Sequence, residues 1–202
     1  MRCIYIVDDD QVIRSELYSL LSVYRNTILQ SFASGDDFIA EVADLQPAVM
    51  LLDMNMPGAS GLDVLSAIGD RQDILPIVLT GAGDTRLAVK AMKAGAADFL
   101  EKPCEPKDLL QTIDLAFETL EQTEQVIART VQAREKLDRL SARERDVLEG
   151  LIDGKSNKVI GFELDISPRT VEVYRGKMMD KLEVQSLPEA LRIAFTAGLI
   201  EA

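Results

Sequence analysis

The feature that most constrains the fold of this chain is the alternation, over residues 1–120, of short apolar runs with longer amphipathic segments. A short apolar run bounded by turn residues is typical of a buried strand, and apolar residues recurring every three or four positions are typical of a helix. The predicted strands are residues 3–7, 27–32, 49–53, 76–80 and 98–102. Strand and helix alternating five times predict an α/β fold, namely a doubly wound five-stranded parallel sheet with helices on both faces.

Polar residues stand at the ends of these predicted strands. Three aspartates, residues 8–10, follow the first strand, and Asp53, Thr80 and Lys102 end the third, fourth and fifth. Right-handed crossovers place the carboxyl ends of all parallel strands on one edge of the sheet, where such folds bind their ligands. We therefore expect these polar side chains to lie close together.

The residue types at this edge suit phosphoryl chemistry. Several carboxylates at one position repel each other unless a cation lies between them, and hard oxygen ligands favour Mg²⁺. The hydroxyl of Thr80 and the ammonium of Lys102 would complete a site for an oxyanion. Asp53, which joins a buried strand to a loop marked by Pro57 and Gly58, is the candidate nucleophile, because an aspartate carboxylate can form an acyl phosphate.

Each of these residues also has an ordinary structural explanation. Consecutive aspartates are common in solvated turns and at helix N-termini, and Asp53 could cap a turn. Thr80 before a glycine and Lys102 before a proline are ordinary strand ends. The convergence of all of them on one predicted edge is what favours the site.

Composition limits the possible functions and locations. The net charge of −12 argues against a simple nucleic-acid binder, but residues 1–120 carry 9 basic and 19 acidic side chains, whereas residues 121–202 carry 13 and 15. The chain has no histidine, which removes histidine-based catalysis, metal ligation and phosphate carriage. No apolar run approaches the ~18 residues of a membrane span, and the first strand lacks the features of a signal peptide. With two cysteines that fit reduced thiols, we expect a cytoplasmic protein with no membrane partner.

Residues 121–139 are predicted to be a linker. No glycine or proline occurs between Lys107 and Glu149, and this segment is rich in glutamate, glutamine and arginine. It is either a solvated, partly helical connection or a helix that continues from the last helix of the first 120 residues, acts as a semi-rigid spacer and can pair with a partner chain. The helical interpretation is favoured.

The remaining residues predict an all-α unit of four short helices. Ser141 and Glu144 have the spacing of a capping box, and Ser167 followed by Pro168 predicts the start of the third helix. A three-residue turn, 165–167, separates the second and third helices, as in a helix-turn-helix whose second element enters the major groove of DNA. The alternative is a helical bundle with a solvated charged face.

The first 120 residues resemble the receiver domain of two-component response regulators. The resemblance rests on Val7-Asp8-Asp9, the run 53–58, Thr80-Gly81 and the run 99–103. It implies a flavodoxin-like sheet in which a sensor histidine kinase phosphorylates Asp53. It also implies that Asp9, Asp53 and the backbone carbonyl of Asn55 hold Mg²⁺, with Asp8 acting on the metal largely through water. Thr80 and Lys102 would bind the phosphoryl oxygens, and Phe99 would be an aromatic switch coupled to Thr80.

The last 60 residues resemble the LuxR-type DNA-binding domain over the runs 140–148, 154–160 and 166–175, so the whole chain is similar to the FixJ/NarL class of response regulators. The resemblance implies that residues 190–197 form a dimer contact on DNA. The residues implied to contact DNA are Lys155, Asn157, Lys158, Arg169, Thr170, Glu172, Val173, Tyr174, Arg175, Gly176 and Lys177. Two departures are Gly161, where alanine is usual, and Tyr174, where histidine is frequent; the glycine should loosen the second helix by ~1 kcal/mol.

The predicted organisation is a receiver at 1–120, a linker at 121–139 and a DNA-binding domain at 140–202. The predicted function is a transcriptional regulator, not an enzyme, in which phosphorylation of Asp53 promotes homodimer formation and promoter binding. One alternative is a DNA binder independent of phosphorylation, with the receiver as a scaffold. Another is a magnesium-dependent phosphatase or phosphotransferase using Asp53. Against this alternative, the sequence offers no second general acid beside the nucleophile.

Overall fold

The fold divides into two units, Met1–Glu124 and Gln125–Ala202, and the computed structural model describes residues 2–69, 71–81 and 85–199. The division falls within the segment 121–139 that the sequence pattern assigns to the linker. In the described ranges no helix combines the length and the apolar character needed to cross a lipid bilayer.

The first unit is a five-stranded parallel sheet flanked by helices. Its strands are β1 (Arg2–Val7), β2 (Thr27–Phe32), β3 (Ala48–Asp53), β4 (Ile74–Gly81) and β5 (Asp98–Lys102), in the spatial order β2-β1-β3-β4-β5. Its helices are α1 (Gln11–Leu21), α2 (Gly35–Glu41), α3 (Gly61–Ile68), α4 (Thr85–Lys93) and α5 (Pro106–Asp138), the last of which continues into the second unit. The predicted doubly wound parallel sheet is confirmed.

Local signals explain where the helices of this unit begin. The carboxylate of Asp10 accepts a hydrogen bond from the Val12 amide at the start of α1, and Ser34 caps α2 in the same manner. Ser60 and Asp63 form a capping box at α3. The sequence pattern predicts the fourth helix from Asp84 to Ala94, and Asp84 lies outside the described residues.

Several boundaries differ by one or two residues from the sequence-based expectation, as α2 and β4 illustrate. The helical spacing of Phe38, Ile39 and Val42 predicts a second helix through Val42, but α2 ends at Glu41 and gives way to a 3₁₀ turn at Val42–Asp44. Strand β4 begins at Ile74, two residues before Pro76, and the Pro76 carbonyl accepts a hydrogen bond from the Ala97 amide at 2.8 Å. The sequence pattern predicts that this strand begins at Pro76. Proline lacks an N–H, but its carbonyl still takes part in the backbone hydrogen bonding beside β5.

Alternate residues of the central strands pack into two separate layers. Tyr5 and Met50 belong to the layer that contains α2 and α3, whereas Ile6 and Leu51 belong to the layer that contains α1 and the start of α5. Because β1 and β3 are buried on both faces, their sequences are almost continuously apolar. The two cysteines are free thiols: Cys3 is buried on β1, and Cys104 is half-buried two residues after Lys102.

Helix α5 confirms the helical interpretation of the linker. It runs without interruption for 33 residues, and Ile113 and Phe117 on its first half pack against the sheet. In its last turns Ala133 and Leu137 are buried in the core of the second unit. Leu140 belongs to the same core and leads directly into the next helix.

The second unit contains, after α5, helices α6 (Ala142–Ile152), α7 (Asn157–Glu163), α8 (Pro168–Leu182) and α9 (Leu187–Thr196). The predicted capping box at Ser141 and Glu144 is present, and Ser167 caps α8 with Pro168 in its first turn. Asp165, in the turn between α7 and α8, has a left-handed φ of 55°. The predicted all-α unit with a helix-turn-helix arrangement is confirmed.

Candidate functional site

Asp53 ends β3 at the carboxyl edge of the sheet, and its residue is 9% exposed. One carboxylate oxygen, Oδ2, accepts a hydrogen bond from the Asn55 amide at 2.7 Å. The other, Oδ1, accepts from the Lys102 ammonium at 2.5 Å. Both oxygens of the candidate nucleophile are therefore held in place from two directions.

Asp8 follows β1 and is 2% exposed. Its Oδ2 accepts from Lys102 Nζ at 2.7 Å, and its Oδ1 accepts from the Asp10 amide at 2.9 Å. Arg14, on the first turn of α1, donates to the Asp8 main-chain carbonyl at 2.7 Å. Lys102, at the end of β5, thus joins the carboxylate that ends β3 and the carboxylate that follows β1.

Lys102 keeps its positive charge in this position. Burial alone would lower the pKa of its ammonium, but the hydrogen bonds to Asp53 and Asp8 and their negative charges outweigh burial, so the pKa is raised above its ordinary value. A raised pKa means that this lysine is protonated at neutral pH, and one cation lies between two anionic side chains.

Thr80 and Phe99 occupy the neighbouring strands β4 and β5. Thr80 is 1% exposed, and its hydroxyl has no hydrogen-bond partner among the residues that the structure describes. Phe99 is 40% exposed. A buried hydroxyl without a partner is unusual, since most buried polar groups are hydrogen-bonded, and it calls for a functional explanation.

The remaining predicted metal ligands, Asp9 and Asn55, are exposed beside Asp8 and Asp53. Over the described ranges, no three acidic or cysteine side chains are gathered closely enough to hold a metal ion by themselves. The donor set nevertheless fits Mg²⁺, which commonly takes only one or two carboxylates and completes its shell with water and other oxygens.

The residues predicted to contact DNA lie on α8 and around the start of α7. Lys158, Arg169, Glu172, Val173, Gly176 and Lys177 are exposed, whereas Lys155, Asn157, Thr170, Tyr174 and Arg175 are half-buried. The opposite face of α8 carries Val171, Met178 and Leu182, which are fully buried, as their spacing predicts. Two of the half-buried residues have further roles in this unit: Lys155 forms ion pairs with Asp153 and Glu163, and Tyr174 packs against the core.

Three contributors near these sites were not identified from the sequence. Arg14 belongs to no recognisable motif, because the group it contacts is a main-chain carbonyl. Glu144 was recognised only as a cap, yet its buried carboxylate also forms an ion pair with Lys181 at 2.6 Å. Gly161 was treated only as a weak helix former, although it approaches the backbone of the turn before α8.

The class of protein that this fold and site define is a response regulator whose receiver is followed by a DNA-binding domain. Family models agree with this class: residues 4–114 match the response regulator receiver domain, and residues 138–194 match the bacterial regulatory proteins of the luxR family.

Relatives extend the similarity over almost the whole chain. The transcriptional regulatory protein FixJ of Rhizobium meliloti strain 1021 is 40% identical over 196 residues, which cover 96% of each chain. The response regulator StyR has a similar solved structure, with a TM-score of 0.82, 33% identity, and coverage of 96% of this chain and 98% of that one. Full-length FixJ from B. japonicum gives a TM-score of 0.60 with 39% identity, covering 99% of this chain and 98% of that one.

The chain belongs to the FixJ/NarL class of two-component response regulators and is a DNA-binding transcriptional regulator. This family implies DNA and a sensor kinase as partners.

Proposed function

We propose that Asp53 accepts a phosphoryl group from a histidine kinase and that this modification controls promoter binding. The observation that carries the proposal is the position of Lys102, whose ammonium holds Asp8 and Asp53 together at the sheet edge where Thr80, next to the last residue of β4, has a hydroxyl with no partner among the described residues. Such a group of cation, hydroxyl donor and carboxylate suits the binding of a phosphoryl group and its transfer to Asp53.

In the proposed transfer, a carboxylate oxygen of Asp53 attacks the phosphorus of a phosphohistidine on the kinase. The new O–P bond forms as the N–P bond breaks, and the departing imidazole nitrogen takes up a proton. Mg²⁺ bound by Asp8, Asp9, Asp53 and the Asn55 carbonyl would offset the negative charge of the phosphoryl oxygens. Lys102 already touches Asp53 and can follow its oxygen to the phosphoryl group, and Thr80 supplies a hydroxyl donor that no group in the described part of the chain uses.

The proposed response to phosphorylation begins at Thr80. When its hydroxyl turns to the phosphoryl group, the ring of Phe99, now partly exposed on the adjacent strand, moves inward into the space left. The face around β5 includes Val89 and Met92 of α4, which are exposed apolar residues. We assign this α4–β5–α5 face to the phosphorylation-dependent homodimer.

On DNA, α8 would enter the major groove. The exposed cations Lys158, Arg169 and Lys177 suit contacts with phosphates, and Glu172 could accept a hydrogen bond from a cytosine amino group. The last helix keeps Phe195 exposed, which fits a dimer contact between two DNA-bound copies.

Genome-wide mapping of bound DNA with wild-type protein and the Asp53→Asn variant tests the proposal. We expect the variant, which cannot form the acyl phosphate, to lose most promoter occupancy under inducing conditions. Equal occupancy by both proteins would instead support the phosphorylation-independent alternative, in which the receiver is only a scaffold.

A further inference from the structure

The last turns of α5 pack against the other helices of the second unit and form one wall of a groove. Arg134 Nε donates to the carbonyl of Ala197 at 3.3 Å, and Lys136 Nζ donates to the carbonyl of Leu182 at 3.1 Å. These two contacts satisfy carbonyls at the ends of α9 and α8, which helix geometry leaves without partners. The end of α5 is therefore an integral part of the folded DNA-binding unit.

Between this segment and α9 lies a cavity of about 310 Å³, here called the α5–α9 groove. Ala133, Val184 and Ile193 provide its apolar lining, and Gln132 and Thr196 provide neutral polar groups. The volume lies at the lower end of the range of ~300–1,000 Å³ that is usual for small-molecule sites.

The charges that line the groove are mainly positive. Arg129 and Arg192 are exposed lining residues, and no carboxylate in the described parts of the chain forms an ion pair with either. The third cation, Lys136, is paired with Glu183 at 3.0 Å. Two guanidinium groups thus remain available to a ligand in a chain whose net charge is −12.

The acidic lining residue, Glu189, does not neutralise these arginines by direct pairing. Its two carboxylate oxygens accept hydrogen bonds from the Gln185 amide at 3.0 Å and the Ser186 hydroxyl at 2.8 Å. Those two hydrogen bonds, with a smaller contribution from the charge of Arg192, lower the pKa of Glu189 below its ordinary value. Both of its oxygens are therefore already in use at the start of α9.

We propose that the α5–α9 groove binds a small organic anion that consists of a phosphonate-, phosphate- or carboxylate-type head on an apolar, ring-sized body. The head group lies against Arg129 and Arg192, because planar guanidinium groups bind such oxyanions through paired hydrogen bonds. The body lies against Ala133, Val184 and Ile193. The site is separate from Asp53 and does not depend on the phosphorylation proposed above.

A ligand in this position contacts α5 and α9 together. Because it binds the packed arrangement of the two helices and not the unfolded chain, it stabilises that arrangement in proportion to its concentration. The groove is thus a second site through which a ligand can act on the DNA-binding unit, in addition to Asp53 in the receiver.

An NMR titration of the full-length, ¹⁵N-labelled chain with phenylphosphonate tests the proposal. The P–C bond of this probe cannot transfer its phosphorus to Asp53, so any response comes from binding. We expect saturable shifts at Arg129, Ala133 and Ile193 with a dissociation constant of about 1 mM, which is usual for a ligand of this size. Arg129→Gln and Arg192→Gln should each weaken binding about tenfold.

The matched control is Arg143→Gln, which removes an exposed arginine of the same unit that pairs with Asp146 outside the groove. This variant should bind phenylphosphonate like the wild type. The absence of saturable shifts at the groove would overturn the proposal. Binding of inorganic phosphate or of benzyl alcohol with the same affinity as phenylphosphonate would also overturn it, because the groove would then not recognise an anionic head and an apolar body in one ligand. Unchanged resonances elsewhere show that each variant is folded.

Discussion

Thr80 stands out among the residues of the candidate phosphorylation site because its buried hydroxyl lacks a partner within the described structure. Leaving a buried polar group unpaired costs about 1–3 kcal/mol. We expect Thr80→Val, which replaces the hydroxyl with a methyl group of similar size, to stabilise the unphosphorylated receiver by about 1 kcal/mol and to lower the phosphorylated fraction. Thermal denaturation and intact mass after treatment with a small phosphodonor measure the two effects.

The chain contains a matched control for this substitution. Thr27 on β2 is the other buried hydroxyl without a partner in the described ranges. Thr27→Val should give a similar gain in stability and leave phosphorylation unchanged. Thr80→Ser, which keeps the hydroxyl, should be phosphorylated like the wild type. If Thr80→Val were phosphorylated as well as the wild type, Thr80 would have no role in holding the phosphoryl group.

Glu144 is a second residue whose buried charge has a measurable consequence. Burial would raise the pKa of its carboxyl group, but the hydrogen bonds from Lys181 and from the amide of Ser141 outweigh burial and lower it. Since the pKa is lower in the folded state, the stabilisation is present above the ordinary glutamate pKa and is lost as the pH falls through the folded-state value.

Glu144→Gln should therefore destabilise the second unit by about 1–3 kcal/mol at pH 7, and the difference from wild type should shrink as the pH falls below about 4. Urea denaturation at several pH values measures it. Glu149→Gln, an exposed change on the same helix, should have little effect at any pH. A loss for Glu144→Gln that stays constant down to pH 3 would contradict the ion-pair explanation.

At the scale of elements, Gly161 explains how the helix-turn-helix is built. A Cβ at this position would lie 2.8 Å from the carbonyl oxygen of Ile166 and 3.3 Å from the nitrogen of Pro168. The Gly161 carbonyl also accepts a hydrogen bond from the Ile166 amide at 2.9 Å. Helix propensity alone would favour alanine here, but the missing side chain lets α7 approach the turn that leads into α8.

We expect Gly161→Ala to destabilise the second unit by about 1–3 kcal/mol, because the clash with backbone exceeds the ~1 kcal/mol gained in helix propensity. Gly176, inside α8, has no atom within 4 Å of a Cβ position, so Gly176→Ala should instead stabilise the unit by about 1 kcal/mol. Hydrogen exchange at amides of α7 and α8 distinguishes the two. Equal stabilisation by both substitutions would show that the turn moves aside at no cost.

Most elements of the fold could be predicted because each depends on local signals. The central strands could be recognised as continuous apolar runs, because neighbouring residues such as Met50 and Leu51 are buried on opposite faces of the sheet. The lack of glycine and proline predicts that the end of α5 is helical, but its packing could not be predicted. Its helical turns up to Asp138 are held by Ala133 and Leu137, whose burial depends on partners more than 40 positions later in the chain, such as Leu182.

The candidate phosphorylation site was predictable as a set of residues but not as a geometry. Strand order places Asp8, Asp53 and Lys102 on one edge, and residue type indicates the chemistry. That Lys102 bridges both carboxylates depends on the relative register of three strands, which the sequence pattern does not specify. The contact of Arg14 with a main-chain carbonyl likewise could not be predicted, because a main-chain carbonyl is present at every residue and gives no sequence pattern.

At the scale of the whole molecule, the proposed dimer gives a further prediction. Met92 on α4 is 42% exposed and belongs to the assigned α4–β5–α5 face. Met92→Glu should leave phosphorylation of Asp53 intact but prevent dimer formation, because a carboxylate would have to be desolvated in the contact. Analytical ultracentrifugation with and without a small acyl phosphate donor measures it.

Val23→Glu is the matched control. Val23 is also exposed and apolar, but it lies just after α1 and is not part of the assigned α4–β5–α5 face. It should dimerise like the wild type on phosphorylation. Loss of dimer in both variants, or in neither, would mean that the face is assigned wrongly.

The unequal burial of the two cysteines has a practical consequence. Burial raises the pKa of the Cys3 thiol, so little of the reactive thiolate forms there, whereas Cys104 is half-buried and two residues from Lys102. A thiol-reactive dye should therefore label the natural chain at Cys104 alone, as peptide mass mapping can verify. Without any engineered residue, fluorescence from that dye would follow events around Lys102 in real time.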